Sequence, residues 1–347
     1  MNIESLIRPN IRALKPYHSA RQDFLSGVLL DANENAYGSV VHKELELNRY
    51  PDPFQQQLRK KLAELNSVKP ENIFIGVGSD EVIDLLVRIF CRPQQDSVLL
   101  LEPTYGMYRV AASVQDVEVR SCLLTEQFQI DIEKTISSVS ESTKLIFCCS
   151  PNNPTANLLR PADIFTLCKL NVMVVVDEAY IDFASEPSLA KNILQQNNLI
   201  VMRTLSKAWG LAGIRLGYCV ADPLIVSYAL KVKAPYNINS LTSKMALEAL
   251  SNVPYMQETL KIILRERERL TAELKELPCV QTVFPSDANF LLARFTDANT
   301  IYNKLVECGI IIRNRTTEPM LQNCLRITVG TPSENDQLIN ALKEICQ

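Results

Sequence analysis

From about residue 57 onward, short β-branched apolar runs alternate with stretches whose apolar residues recur at helical spacing. The runs are Ile73-Phe74-Ile75, Val98-Leu99-Leu100-Leu101, Leu145-Ile146-Phe147, Val172 to Val176 and Leu199-Ile200-Val201-Met202. Between them, Asp80–Cys91 and Pro161–Leu170 read as helices. A strand that is apolar on both faces has to be covered on both, and strands that alternate with helices pair in parallel. The pattern therefore predicts an α/β fold with a mostly parallel sheet between helices.

Around Lys233–Asn239 this rhythm breaks in an irregular stretch containing Pro235. A charged helix is predicted over Tyr255–Leu277, with Leu260, Ile263, Leu264, Leu270 and Leu274 near one face. Beyond Pro278, strands over Asn289–Arg294, Ile310–Arg313 and Cys324–Val329, with helices over Asn299–Cys308 and Asn335–Ile345, predict a smaller α+β unit. The segment before about residue 45 lacks periodicity and reads as an arm. The expected division is an N-terminal arm with part of the small domain (1–45), a large domain (46–250) and a small C-terminal domain (251–347).

Composition narrows the function. The 347 residues are 47% apolar and 22% charged, ordinary for a chain with a sizeable core. A net charge of −3 without a basic stripe argues against a nucleic-acid partner. Arg265-Glu266-Arg267-Glu268-Arg269 alternates in sign and reads as a solvated helix face. No apolar run nears the roughly 18 residues that cross a bilayer, so no membrane partner is expected. Glu4, Arg8, Arg12 and Lys15 interrupt the N-terminus against a secretory signal, and the expected location is the cytoplasm. The ten cysteines include no C-x-x-C and read as buried, reduced thiols. The two histidines, His18 and His42, stand outside metal-ligand spacing. No metal site is expected, and some group other than histidine must move protons.

The candidate chemistry gathers at strand ends. Ile75-Gly76-Val77-Gly78-Ser79-Asp80-Glu81 follows a strand and opens a helix, where backbone N–H groups suit a phosphate. The alternative is an ordinary helix cap by Ser79. Glu81 stands where a dinucleotide fingerprint has its third glycine, which disfavours an NAD-dependent oxidoreductase. The valines of Val174-Val175-Val176 deliver Asp177 to a buried strand end, with Tyr180 three residues on; the alternative is that Asp177 caps a helix. In Thr204-Leu205-Ser206-Lys207-Ala208-Trp209-Gly210-Leu211-Ala212-Gly213-Ile214-Arg215-Leu216-Gly217, a lysine lies between hydroxyls, glycines and an arginine suited to a phosphate. A buried amine sheds its proton and becomes a nucleophile; a plain surface lysine is the alternative. Ser150-Pro151-Asn152-Asn153-Pro154-Thr155 holds Asn153 on a proline-stiffened loop, and Glu102-Pro103-Thr104-Tyr105-Gly106 offers Tyr105 for stacking.

In their order and spacing, GSDE, PTYGMY, SPNNPT, DEAY and SKAWGLAGIR resemble the fold-type I aminotransferases that depend on pyridoxal 5'-phosphate (PLP), most closely the histidinol-phosphate aminotransferases. The resemblance runs from Arg8-Pro9-Asn10-Ile11-Arg12 to Leu325-Arg326-Ile327-Thr328-Val329-Gly330-Thr331. It implies that Lys207 holds the cofactor as a Schiff base and moves the substrate proton, and that Asp177 pairs with the pyridine nitrogen. Tyr180 and Asn153 would bond the ring hydroxyl, and Tyr105 would stack on the ring. Backbone amides at Ser79–Asp80, with Ser206 and Arg215, would hold the phosphate, with Tyr50 reaching in from the second subunit of a homodimer and Thr204 a further cofactor contact. Tyr17, Asn33, Arg313 and Arg326 would receive the substrates, histidinol phosphate and glutamate or 2-oxoglutarate. An aromatic amino-acid aminotransferase or a phosphothreonine-type decarboxylase of the same fold is the nearest rival. One departure is Asn153-Pro154-Thr155-Ala156, where the family has glycine at the fourth position; the loop is expected to bend without a left-handed residue there.

Overall fold

The computed structural model describes residues 1–41 and 46–346; His42 lies outside them. The larger sheet is built from β1 (Ile73–Val77), β2 (Ser97–Glu102), β3 (Glu118–Leu123), β4 (Thr143–Cys149), β5 (Met173–Asp177), β6 (Leu199–Thr204) and β7 (Leu216–Val220). They lie in the order β1-β7-β6-β5-β4-β2-β3. The pairs from β3 through β6 are parallel, and β7 runs antiparallel to both β6 and β1. The sheet is mostly parallel, as the alternating pattern predicts.

Its central strands are buried on both faces because each face has its own layer of helices. Leu99, Ile146, Val174, Val176 and Val201 point to one side. That side is covered by α2 (Gln56–Asn66), α6 (Pro161–Leu167) and α8 (Ser240–Leu250). Val98, Leu145, Phe147, Val175 and Ile200 point to the other, against α3 (Gly78–Phe90), α4 (Met107–Val114) and α7 (Pro223–Val232). Ile3, Leu6, Ile7 and Ile11 join this second layer, and the Arg8 N–H donates to the Ile89 carbonyl at 3.0 Å.

A second, antiparallel sheet has the order β10-β11-β9-β8, with β8 (Val280–Val283), β9 (Phe290–Phe295), β10 (Arg313–Asn314) and β11 (Cys324–Thr328). The helices α9 (Val253–Lys275), α10 (Ala298–Glu307) and α11 (Pro332–Ile345) pack on it through Leu270, Leu274, Ile301, Leu305, Leu338 and Leu342.

Two sequence expectations hold only in part here. The alternating charges of α9 are only partly a solvated face: Arg265 and Glu268 are exposed, but Glu266 is buried and Arg269 binds Glu266, Glu273 and Asp336. Arg267 donates to the carbonyls of Phe183 and Ala288. The helix uses these charges to tie the second sheet to its surroundings. Nor are all cysteines buried and reduced. Cys279 and Cys346 form a disulfide with their Cα atoms 5.6 Å apart, and Cys308 is exposed. The other free cysteines are buried.

Candidate active site

A cleft of about 710 Å³ opens where β2, β4, β5 and β6 end, and the β10–β11 ribbon forms its far wall. Open parallel sheets bind ligands at this edge because each strand end releases a loop into the same space.

Asp177 lies at the floor as the last residue of β5, nearly sealed from solvent. Its Oδ2 accepts from the Tyr108 hydroxyl at 2.7 Å and its Oδ1 from the Ala179 N–H at 3.1 Å. It therefore caps no helix. Burial pushes its carboxyl up to about 6, against the Tyr108 and Ala179 hydrogen bonds that favour the charged form.

Lys207 follows β6 and is open to the cleft rather than buried, which corrects the expectation of a buried amine. Its Nζ stands 5.4 Å from the centre of the Tyr180 ring. The protein walls around it lower its pKa, Arg326 and Arg215 add to this, and Asp177 opposes it. Tyr180 is itself buried, with its ring edge against Phe290.

An anion cradle lies beside them. The Thr204 hydroxyl donates to Ser206 Oγ at 2.9 Å, and Arg215 reaches Asp80 Oδ2 at 3.1 Å. Ser79, Asp80, Thr204, Ser206 and Arg215 all line the cleft. Ser79 does not cap α3; the cap position is Val77, without a side-chain hydrogen bond. Gly217 is required for a close approach here, since a Cβ on it would come within 2.2 Å of the Ser79 nitrogen. Glu81 turns back on the loop, accepting from the Val77 N–H at 2.6 Å and from Asn237 at 2.9 Å.

Tyr105 lines the cleft and donates to Asp80 Oδ1 at 3.2 Å. Asn153 is buried, and its Oδ1 accepts from Arg326 Nη1 at 2.6 Å, joining the two sheets across the cleft. Three residues along that loop, Ala156 has φ +70° and is fully buried. The expectation that the loop bends without a left-handed residue is therefore wrong: the turn keeps its geometry, and alanine carries the strain.

Arg313 and Arg326 face each other across β10 and β11 and line the cleft, with the Arg326 guanidinium 5.3 Å from the centre of the Phe290 ring. Tyr17, Asn33 and Tyr50 are all exposed and are not among the residues lining the cleft of the single chain. The Tyr50 ring stacks on Tyr236 at 4.5 Å, while its N–H donates to Glu34 at 2.7 Å. Sequence reasoning missed Tyr108, Arg315 and Glu318. Tyr108 stands one helical turn from Tyr105, a signal that was present, but its partner is 69 positions away. Arg315 follows Arg313 by the strand period of two, a signal available in Arg313-Asn314-Arg315.

Comparison with known proteins agrees with this geometry. The profile of the family "Aminotransferase class I and II" matches residues 23–342. A histidinol-phosphate aminotransferase of Parabacteroides distasonis is 49% identical over 347 residues, covering 99% of each chain. The crystal structure of the histidinol-phosphate aminotransferase from Clostridium acetobutylicum superposes with a TM-score of 0.80 at 27% identity, over 86% of this chain and 91% of that one. That of Sinorhizobium meliloti, solved in complex with pyridoxal-5'-phosphate, gives a TM-score of 0.80 at 24% identity, over 91% and 89%. This chain is a member of the class I and II aminotransferases, within the histidinol-phosphate aminotransferase family.

Proposed function

We propose that this transaminase exchanges an amino group between L-histidinol phosphate and 2-oxoglutarate, giving imidazole acetol phosphate and L-glutamate in histidine biosynthesis, with PLP as cofactor and as a cytoplasmic homodimer. The observation that carries the reading is the convergence of Asp177, Lys207 and Arg326 on one cleft. A phosphorylated pyridine aldehyde fits this donor set: a buried carboxylate for a ring nitrogen, an amine for an aldehyde, and a cradle of hydroxyls and a guanidinium for a phosphate.

When bound, PLP supplies an aldehyde that takes up the amino group and a ring that accepts the electron pair left at Cα. The remaining work belongs to the chain. Asp177 would hold a proton on the ring nitrogen, and Tyr108 fixes the direction of its carboxylate. Lys207 would hold the cofactor through its amine and is placed to carry the substrate proton; the surroundings that lower its pKa favour that role. Tyr180 and Asn153 would bond the ring hydroxyl, and Tyr105 would offer its face to the ring. The backbone N–H groups of Ser79 and Asp80, the hydroxyls of Thr204 and Ser206, and Arg215 would hold the phosphate. Arg313 and Arg326 would receive the substrate oxyanion, because a guanidinium fork accepts phosphate or carboxylate equally well in geometry, and Tyr17 and Asn33, outside the cleft of the single chain, would join them only in the assembled dimer.

A second copy of the chain completes the site. Tyr50 stands outside its own cleft and is 51% exposed, while Phe24, Val28, Leu30, Tyr37 and Val40 of the arm also present apolar surface to solvent. The two sheets support a division between a large domain (46–250) and a small domain (251–347), with residues 1–45 as an N-terminal arm and part of the small domain.

Purified protein assayed with histidinol phosphate and 2-oxoglutarate, against phenylalanine and phosphothreonine, tests the assignment. Preference for histidinol phosphate is expected; release of carbon dioxide or preference for phenylalanine overturns it.

A further inference from the structure

The far wall of the cleft carries a third arginine and a carboxylate. β10 and β11 place Arg313 opposite Arg326, and the Arg315 N–H donates to the Cys324 carbonyl at 3.0 Å, which continues the pairing by two residues. Side chains two apart share a face of a ribbon. Arg313, Arg315 and Arg326 therefore project on one face, toward the cleft that all three line. Like charges set opposite each other destabilise a ribbon. Arg326 shows this: burial disfavours its charge, and Arg315 and Arg313 add to the effect. Such an arrangement is suited to receiving an anion.

Arg315 differs from its neighbours in having a built-in counter-charge. Its Nη1 donates to Glu318 at 2.7 Å, and the two side chains are only 25% and 27% exposed. The turn is closed by the Glu318 N–H on the Arg315 carbonyl at 3.0 Å. Arg315 Nε is buried without a hydrogen-bond partner, while Arg326 is held by the neutral amide of Asn153. Formal charges at this end therefore sum to those of Arg313 and Arg326 alone, with the Arg315–Glu318 pair neutral.

We propose that Arg315, balanced on Glu318, is a specificity-determining residue that lets the pocket favour a phosphate dianion over a carboxylate. This rests on the reading that one pocket takes a phosphate-bearing amine and a dicarboxylate in turn. A phosphate monoester carries about −1.5 to −2 charge at pH 7, so it responds up to twice as strongly as a carboxylate to any charge placed near it. Without Arg315, the Glu318 carboxylate faces the bound anion uncompensated, and the dianion suffers more.

The test compares the wild-type holoenzyme with Arg315→Gln, Glu318→Gln and the double variant. For each, kcat/KM and the rise in melting temperature are measured with histidinol phosphate and with glutamate. Arg315→Gln is expected to lose about 10- to 100-fold with histidinol phosphate but no more than about 3-fold with glutamate. Glu318→Gln is expected to lower KM for both substrates, and the double variant to recover part of the phosphate-specific loss. Equal losses on both substrates would mark the pair as a loop brace and overturn the proposal, as would no loss at all. A double variant no better than Arg315→Gln overturns the charge-balance argument even if the single variant is poorly folded. A wild type silent on histidinol phosphate overturns the assigned function and this inference with it; an active wild type without the split overturns this inference alone.

Discussion

Tyr108 donates its phenolic hydrogen to Oδ2 of Asp177 across 2.7 Å, and both groups are shut away from solvent. The Tyr108 ring cannot swing aside, because it stacks on Phe147 at 4.7 Å. Burial raises the Asp177 carboxyl to about 6 and Tyr108 limits that rise. A raised acid stabilises the fold below its unfolded pKa, and that contribution is lost as pH rises through about 6. A protonated ring nitrogen reverses the preference, since it needs the carboxylate ionised. Cofactor affinity of the apo-protein is therefore expected to strengthen as pH rises through about 6. Tyr108→Phe moves that midpoint upward, weakening binding more at pH near 6 than at pH near 8. Titration of apo-protein with PLP, followed by absorbance across pH, checks this; an unmoved midpoint contradicts it.

Arg326 holds Asn153 across the cleft at 2.6 Å while remaining free to receive a substrate oxyanion. Lysine keeps the charge but loses the planar fork, so Arg326→Lys is expected to lower kcat/KM by about 100-fold with both substrates. Steady-state kinetics read this, and the parallel loss separates Arg326 from the split expected at Arg315.

Ala156 sits at φ +70° in a fully buried loop. A β-branched residue tolerates this backbone far less than alanine, so Ala156→Val is expected to destabilise the protein by about 2 kcal/mol or more. Ala156→Gly relieves the strain but loses a buried methyl, and its effect stays within about 1 kcal/mol. Denaturant unfolding of the two variants gives both numbers.

The fold was legible where physics is local. β1, β2, β4, β5 and β6 announce themselves because strands covered on both faces are apolar throughout. β3 was not singled out, since it lies at the sheet edge and carries Glu118 on an exposed position and Arg120 on a half-buried one. β7 escaped notice because its Gly217 belongs equally to the glycine-rich stretch after Lys207, and only the approach to Ser79 shows why a glycine is in a strand. Lys207 and Asn153 could be picked out because each follows a strand, and Asp177 because it ends one; Arg215 leads into the antiparallel β7, so all four reach the same edge. The hydrogen bond from Tyr108 to Asp177 was not legible, because a tertiary contact leaves no trace in local spacing. The same holds for Cys279 and Cys346, separated by 67 positions.

That disulfide ties the end of α11 to the turn before β8. Closing a loop of this length in the unfolded chain stabilises the fold by about 2–4 kcal/mol. Cys346→Ser is expected to lower stability by this amount under oxidising conditions, and the difference should vanish when the wild type is reduced. Chemical denaturation with and without a thiol reductant checks both arms.

The central claim is that Lys207 carries the cofactor and does the proton transfer in this cleft. Reducing the PLP-loaded protein with borohydride, digesting it and locating the pyridoxyl group by mass spectrometry tests the claim most directly. The account predicts a single labelled site at Lys207, and no label in Lys207→Ala. A label on another lysine, or an unlabelled wild type, would contradict it.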